Sequence, residues 1–432
     1  MKYEEALEYM EQNINGLGSV PGLDTVGELL ERVGNPQKQL TFIHVAGTNG
    51  KGSVSTLIAN ALMANGYRIG RFVSPAISDY RERILVNNRM IAKTAVGKGL
   101  ERLYDVCREM KEEGFAHPTA FEIETALGFL YFAEKKCDFV VLEVGMGGDL
   151  DATNIVENTK LCVFTSISRD HMAFLGDTLA EIAMHKAGIL KKGCLAVSAA
   201  QENEAEAVLK EQCVQMGVPL QIVDKNCIKE GRSSLKGRKF SYKKYKQMEL
   251  PLLGTYQLEN AALALEALEL LACNGVKIKE ENIRAGFVQS KWPGRFQILN
   301  RKPYVIADGA HNEDAVKKLM ETMRFYFTNE RIIYIMGVLK DKEYGPMIEL
   351  SAQKAEYIFT VTPPNKERAL SAFDLAKEIK EYNPNVTATD SVEEALEMAM
   401  LMAGEDGVVL AFGSLSYLGG LQRCFEKSKK QS

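Results

Sequence analysis

The stretch Thr41–Ser53, TFIHVAGTNGKGS, decides the fold. Its first half is a short apolar run of the kind that forms a buried strand, and the residues after it, Val54–Ala64, have the composition of a helix. Between them lies Gly47-Thr48-Asn49-Gly50-Lys51-Gly52-Ser53, a turn too rich in glycine to belong to either element. Strand, glycine-rich turn and helix in that order build a parallel α/β sheet. Glycines let the backbone wrap phosphate oxygens, while successive N–H groups and the helix N-terminus favour negative charge. Lys51 adds a point charge, and Ser53 has the reach to touch phosphate or metal. Every residue from Gly47 to Ser53 is therefore a candidate phosphate ligand. The spacing is tighter than the general G-x-x-x-x-G-K-[ST] form, which marks a subfamily.

Working outward, the strand-like runs DFVVLEVG (138–145), KLCVFTSIS (160–168), CLAVSA (194–199) and PLQIV (219–223) continue the alternation with helical segments. A basic hairpin and a helix over Gln257–Ala272 follow, and the first unit ends near Trp292. A second alternating series then begins with PYVIADG (303–309), RIIYIMG (331–337), EYIFTV (356–361) and GVVLAFGS (407–414). The expected fold is α/β: a P-loop-containing parallel-sheet ATPase domain over 1–294, followed by a smaller Rossmann-like domain over 295–432. A length of 432 residues exceeds what one core normally serves, and Pro293 with Gly294 has the composition of a hinge.

Composition narrows the function. A net charge of −4 argues against a nucleic-acid surface. The one basic cluster, Lys236–Lys246, alternates with Phe240, Tyr242 and Tyr245 and reads as a solvated hairpin face. The 8 cysteines contain no C-x-x-C pair, so they read as reduced thiols with neither zinc site nor disulfide framework. No stretch approaches the ~20 apolar residues of a membrane span, and the first ten residues carry no apolar leader. The expectation is a cytoplasmic enzyme.

Glu143 ends one strand run and His171 follows another, so both belong at the carboxyl edge of a parallel sheet, where α/β sites lie. Mg²⁺ takes a carboxylate or two with phosphate oxygens and waters, which suits Glu143 better than His171. Taken alone, His171 is a helix-start or core histidine, Lys186 a solvated charge, and Asp308-Gly309-Ala310-His311-Asn312 a polar turn with a helix cap.

Together, HVAGTNGKGS, SPAISDYRERI (74–84), FEIETALGFLYF (121–132), EVGMGGDLDATN (143–154), SISRDHMAFLGDTLAEIAMHKAGILK (166–191), WPGRF (292–296), DGAHN (308–312) and GSLSYLG (413–419) change that reading. In this order, over nearly the whole chain, they resemble the Mur ligase superfamily of ATP-dependent amide ligases. The narrower resemblance is to its folate branch, the folylpolyglutamate synthase/dihydrofolate synthase family. Only 46 residues precede Gly47, less than the uridine-nucleotide module that cell-wall members carry there. The resemblance implies ATP and two Mg²⁺ ions as cofactors, a folate or dihydropteroate as acceptor, and L-glutamate as the added amino acid. It also implies a monomeric state, a metal set of Ser74, Glu143 and His171, a carbamylated Lys186, and nucleotide contacts at Asn260, Arg295, Asp308 and His311. Catalysis falls to Lys51, Lys186, His171 and Arg295. Ser414 lies near the amino acid, while Phe121, Asp151 and Ala152, with Arg83 on a mobile loop above them, receive the pterin. Asp149 stands where many bifunctional relatives carry Arg, which leaves the dihydropteroate reaction open. The rival readings are a cell-wall peptide ligase sharing ATP, Mg²⁺ and the acyl phosphate, a plain P-loop ATPase or kinase, and a non-enzymatic scaffold. The last is disfavoured because buried charged loops cost stability without a phosphate ligand.

Overall fold

A computed structural model describes residues 1–17, 22–364 and 367–431, with side chains omitted beyond 425. Its first sheet contains β1 (Phe42–Ala46), β2 (Ile69–Phe72), β3 (Ile84–Val86), β4 (Arg89–Met90), β5 (Phe139–Glu143), β6 (Thr159–Phe164), β7 (Leu195–Ser198) and β8 (Leu220–Ile222), in the order β4-β3-β2-β5-β1-β6-β7-β8. The run from β2 to β8 is parallel, and β3 and β4 add an antiparallel edge. Alternation along β1 explains why this sheet is covered on both faces. Ile43 and Val45 enter the core under the helices Lys51–Ala64 and Gln257–Cys273, whereas Phe42 enters the opposite core under Lys93–Glu112 and Ala120–Glu134. The helix Gln257–Cys273 is apolar on nearly every side, because a small antiparallel sheet over residues 228–250 covers the face that the first sheet leaves open.

That small antiparallel sheet, β9 (Ile228–Ser234), β10 (Gly237–Tyr242) and β11 (Tyr245–Leu250), contains the basic hairpin. Phe240, Tyr242 and Tyr245 point into the core. The lysines point outward onto acidic partners, with Lys239 Nζ 2.7 Å from Glu249 and Lys244 Nζ 2.7 Å from Glu269. The cluster is a charge-paired face.

The second sheet runs β12-β13-β17-β14-β15-β16, built from β12 (Gln297–Arg301), β13 (Tyr304–Ala307), β14 (Ile332–Met336), β15 (Tyr357–Thr360), β16 (Val386–Ala388) and β17 (Val408–Phe412). It is parallel except for β12, which pairs antiparallel with β13. Along β14, Tyr334 and Met336 face one core while Ile333 and Ile335 face the other, so helices pack on both sides. The edge strands β4, β12 and β16 lack the apolar runs that announce the central strands. Half-polar edges carry no such signal, since only one side of each joins the ladder.

Candidate functional site

Parallel register sets the site. Val45 of β1 stands beside Glu143 of β5, and Ala46 beside Phe164 of β6, so the loops leaving these strands emerge together. The carboxyl end of β13 faces them, and a cavity of about 190 Å³ lies between. Gly47 through Ser53, Ser74, Glu143, His171, Lys186, Asn260, Arg295, Asp308 and His311 all line it.

The phosphate loop has a more particular geometry than a ring of amides. The Thr48 and Asn49 N–H groups both donate to Ser166 O, at 2.8 and 3.2 Å, and so turn away from any ligand. The free donors are those of Gly50, Lys51, Gly52 and Ser53, which precede the first helical bond, Val54 N to Gly50 O. Gly47, at φ +148°, admits no side chain, since a Cβ there would lie 1.9 Å from Thr165 Oγ1. Lys51 Nζ folds back onto Gly47 O (3.1 Å) and Thr48 O (3.2 Å), and Lys186 Nζ reaches Gly47 O at 3.1 Å. Ser53 Oγ accepts from Gln257 Nε2 at 3.1 Å, and Asn260 Nδ2 donates to Gln257 Oε1 at 2.9 Å, which ties the loop to the buried helix.

Burial shifts the charges around this loop. It pulls Lys51 down and brings Lys186 to about 7, the Lys51 ammonium adding to the second shift. It pushes Glu143 up to about 7, against Lys51, Arg295 and Arg71. Glu143 Oε2 is buried with no hydrogen-bond partner, an acceptor of the kind a cation would satisfy. Among the described residues no group of three or more His, Cys, Asp and Glu side chains converges on a metal position. A divalent ion here would fill its shell from Ser74, phosphate oxygens and water, the donor set that Mg²⁺ ordinarily takes. Residues and ion fit on that basis.

His171 starts the short helix Met172–Leu175 in a left-handed conformation (φ 54°). Its Nε2 accepts from Lys342 Nζ at 3.1 Å, and the same ammonium donates to Asp170 Oδ1 at 2.7 Å. Burial and then Lys342 bring His171 to about 4. For Asp170, burial pushes upward, but Lys342, His171 and His311 outweigh it and hold the carboxyl below the ordinary range. Lys342 belongs to the second unit, so this cluster spans the cleft. So does Asn49 Nδ2, which donates to Asn312 Oδ1 (3.2 Å) and Asp314 Oδ2 (2.9 Å). Asp308 accepts from Phe296 N (2.7 Å), Ala310 N (2.8 Å) and Tyr256 OH (3.2 Å). His311 Nδ1–H donates to Gly309 O at 2.7 Å, and burial brings the ring to about 4.

A second cavity of about 390 Å³ adjoins the first and shares Ser74, Pro75, Gly145, Met146, Gly147 and Leu175 with it. Phe121, Asp151 and Ala152 line it with Leu150 and Phe174. Asp151 accepts from Met146 N (2.9 Å) and Thr153 N (3.0 Å), and so shapes the loop that forms the wall. Asp149, also in the lining, holds His185 Nδ1 at 2.9 Å. Two expected substrate residues are placed elsewhere. Arg83 pairs with the buried Glu124 at 3.1 Å and lines neither cavity. A guanidinium that neutralises a buried carboxylate is already spent on the fold. Ser414 is buried with its Oγ 2.8 Å from Ser416 Oγ, and its neighbour Leu415 reaches the first cavity instead. Asp170 lies beside His171 within the motif 166–191, but its partner Lys342 carried no local signal, because the contact joins positions 172 residues apart.

Comparison with known proteins agrees with this geometry. Residues 45–268 match the Mur ligase middle domain and residues 294–415 the Mur ligase glutamate ligase domain. The chain is 36% identical over 430 residues to dihydrofolate synthase/folylpolyglutamate synthase of Bacillus subtilis, covering 98% of each. It superposes on Mycobacterium tuberculosis folylpolyglutamate synthase complexed with ADP and AMPPCP at a TM-score of 0.87, with 27% identity over 98% of this chain and 99% of that one. It also superposes on Escherichia coli FolC in complex with DHPP and ADP at 0.86, with 29% identity over 99% of both chains. The phosphate loop facing a second α/β unit across a cleft is thus the architecture of a known group, and the chain belongs to the Mur ligase family, in its folylpolyglutamate synthase/dihydrofolate synthase branch.

Proposed function

We propose that the chain is an ATP-dependent ligase that adds L-glutamate to the γ-carboxylate of a reduced folate, with dihydropteroate as a further acceptor. The observation that carries this reading is the pair of adjoining cavities. One holds the phosphate loop, Lys51, Lys186 and Arg295, and the other is an apolar slot beside it with a shared wall at Ser74 and Gly145–Gly147. ATP phosphates belong in the first and the pterin in the second, which brings the acceptor carboxylate to the shared wall.

A carboxylate oxygen attacks the γ-phosphorus, ADP leaves, and the acyl phosphate that results is open to the amine of glutamate. Phosphate then departs from the tetrahedral intermediate. Lys51 and Arg295 stabilise charge as it develops on the transferring group, and closure of the two units keeps water from the acyl phosphate. Ser74 and Glu143 would hold Mg²⁺, with His171 joining them only on release of its Nε2 from Lys342, and a carbamylated Lys186 would hold a second ion; bound there, the ions would neutralise the phosphate oxygens. An amine brought to about 7 has its lone pair available at neutral pH, the form that adds CO₂ with loss of a proton. Asn260, Asp308 and His311 complete the nucleotide side, and Phe121, Asp151 and Ala152 the pterin side. The domain boundary falls at 294/295, and the working form is a cytoplasmic monomer. Among the described residues no helix is long and apolar enough to cross a membrane.

The test is phosphate release from ATP with Mg²⁺ and L-glutamate, comparing no acceptor, dihydropteroate, a reduced folate and a UDP-muramoyl acceptor. Folate-dependent release with a product heavier by one glutamate is the expected result. Release only with the muramoyl acceptor, or regardless of acceptor, overturns it.

A further inference from the structure

Trp292 is the single tryptophan of the chain, and it stands at the junction of the two units. Its indole lies so close over the phosphate loop that a Cβ on Gly52 would fall 2.2 Å from Cζ2 and 2.6 Å from Cε2. Arg71 is its second neighbour, with the guanidinium carbon 5.5 Å from the ring centroid. Arg71 is buried, yet among the described ion pairs no carboxylate partners it, and its Nε has no hydrogen bond. Its Nη1 donates to Thr56 Oγ1 at 2.7 Å, and that hydroxyl donates to Gly52 O at 2.7 Å. Indole, guanidinium, threonine and glycine thus close a loop of contacts around the first turn of the helix Lys51–Ala64.

Two and four residues further on, the chain is fastened to the second unit. Gly294, at φ +68°, accepts at its carbonyl from Gly309 N (2.8 Å), and Phe296 N donates to Asp308 Oδ2 (2.7 Å). Arg295 lies between these anchors and lines the first cavity. The segment is therefore short, held at both ends, and carries a cavity-lining cation in its middle.

We propose that Trp292 is a positioning residue that fixes the phosphate loop relative to Arg295, so that filling the loop with nucleotide and aligning Arg295 on the transferring phosphoryl group are one event. This rests on the nucleotide reading of the first cavity. A flat ring suits the task because it bridges a glycine and a guanidinium without bonds that would need to break when the loop moves. A mere core filler in this place would alter stability and leave turnover alone.

The native chain supplies its own probe. Titration with ADP and Mg²⁺, read by indole emission and in parallel by calorimetry, is expected to give one saturating emission change that follows the binding curve. In the variants, Trp292→Phe keeps a ring over Gly52 and Trp292→Leu removes it. Both are expected to bind ADP within about threefold of the native chain, with kcat down about tenfold for Phe and about a hundredfold for Leu, the scale on which misplacement acts. Indole emission unmoved at saturating ADP overturns the proposal. So does native kcat in a folded Trp292→Leu chain, or a loss confined to nucleotide affinity with kcat preserved. No ADP binding by the native chain on calorimetry would bring down the nucleotide reading as well.

Discussion

At the scale of single residues, Lys186 and Glu143 show how burial sets chemistry. Lys186 is brought to about 7 in the folded chain against about 10.4 when exposed, so between those values the unfolded chain binds the proton that the folded chain has lost. Folding stability then rises with pH across that window, and the penalty of a buried ammonium is fully present below it. Native protein in bicarbonate-free buffer should therefore gain on Lys186→Met as pH climbs from 7 towards 10, by a few kcal/mol at most, read by denaturant melts at fixed temperature. A difference that does not change with pH would show that the amine is not desolvated. Glu143 runs the other way: at about 7 it holds a proton that the unfolded chain has already released, so its contribution fades as pH rises through neutrality. Glu143→Gln should melt higher than the native chain above pH 7, by about 1–3 kcal/mol, while ligase turnover falls at least about a hundredfold through loss of charge at the cation position. A variant that melts lower than the native chain at pH 8 would contradict this. Glu143 was legible in sequence because a strand end followed by glycines announces a sheet edge. Arg83 was misleading for the opposite reason: a cation in a charged loop looks free until the fold reveals the buried Glu124 beneath it.

At the scale of elements, the helix Ala120–Glu134 connects local capping to substrate binding. Thr119 and Glu122 form a reciprocal cap, with Thr119 N donating to Glu122 Oε2 at 2.7 Å and Glu122 N to Thr119 Oγ1 at 3.3 Å. This cap fixes the first turn, where Phe121 packs edge-on to Phe72 with centroids 6.0 Å apart and lines the second cavity. Thr119→Ala should cost about 1 kcal/mol and raise KM for the folate acceptor several-fold while leaving KM for ATP within error, because the phosphate loop hangs from other strands. Equal changes in both constants would place the effect in global stability. The central strands were readable from their apolar runs, whereas β12 and β16 were not, since short half-polar edges gain their identity only from the neighbour they pair with.

For the whole molecule, a set of polar contacts crosses the cleft, Asn49 with Asn312 and Asp314, Lys318 Nζ with Ser166 Oγ at 3.3 Å, and Lys342 with Asp170 and His171, beside apolar contacts in which Leu253 joins one core of the second unit and Ile77 packs on the other. Polar contacts of that kind permit relative motion; Asn49, His171 and Asn312 stood out in the sequence for other reasons, whereas Lys342, Lys318 and Asp314 are ordinary polar residues far in the chain from the partners they meet. Lys342 is the strongest tie, because both it and Asp170 have side chains only 10% exposed. Removing the cation leaves Asp170 with His171 N at 2.9 Å, Asn312 Nδ2 at 3.0 Å and the more distant His171 and His311 rings, so the cost should be about 1–3 kcal/mol, below the full penalty for breaking a buried pair. That cost falls on the closed arrangement and not on either core, since neither hydrophobic cluster of the second unit includes Lys342. Lys342→Met without ligand should therefore show a larger radius of gyration by X-ray scattering, with the far-UV spectrum unchanged. The sign of its pH dependence follows from Asp170, which is held below the ordinary carboxylate range. The native tie is complete above that range and is lost as pH falls through the folded value, so native compactness should survive mild acid and differ least from the variant at the lowest pH. Identical scattering curves for the two chains at neutral pH would show that the cleft is closed by something other than this ion pair.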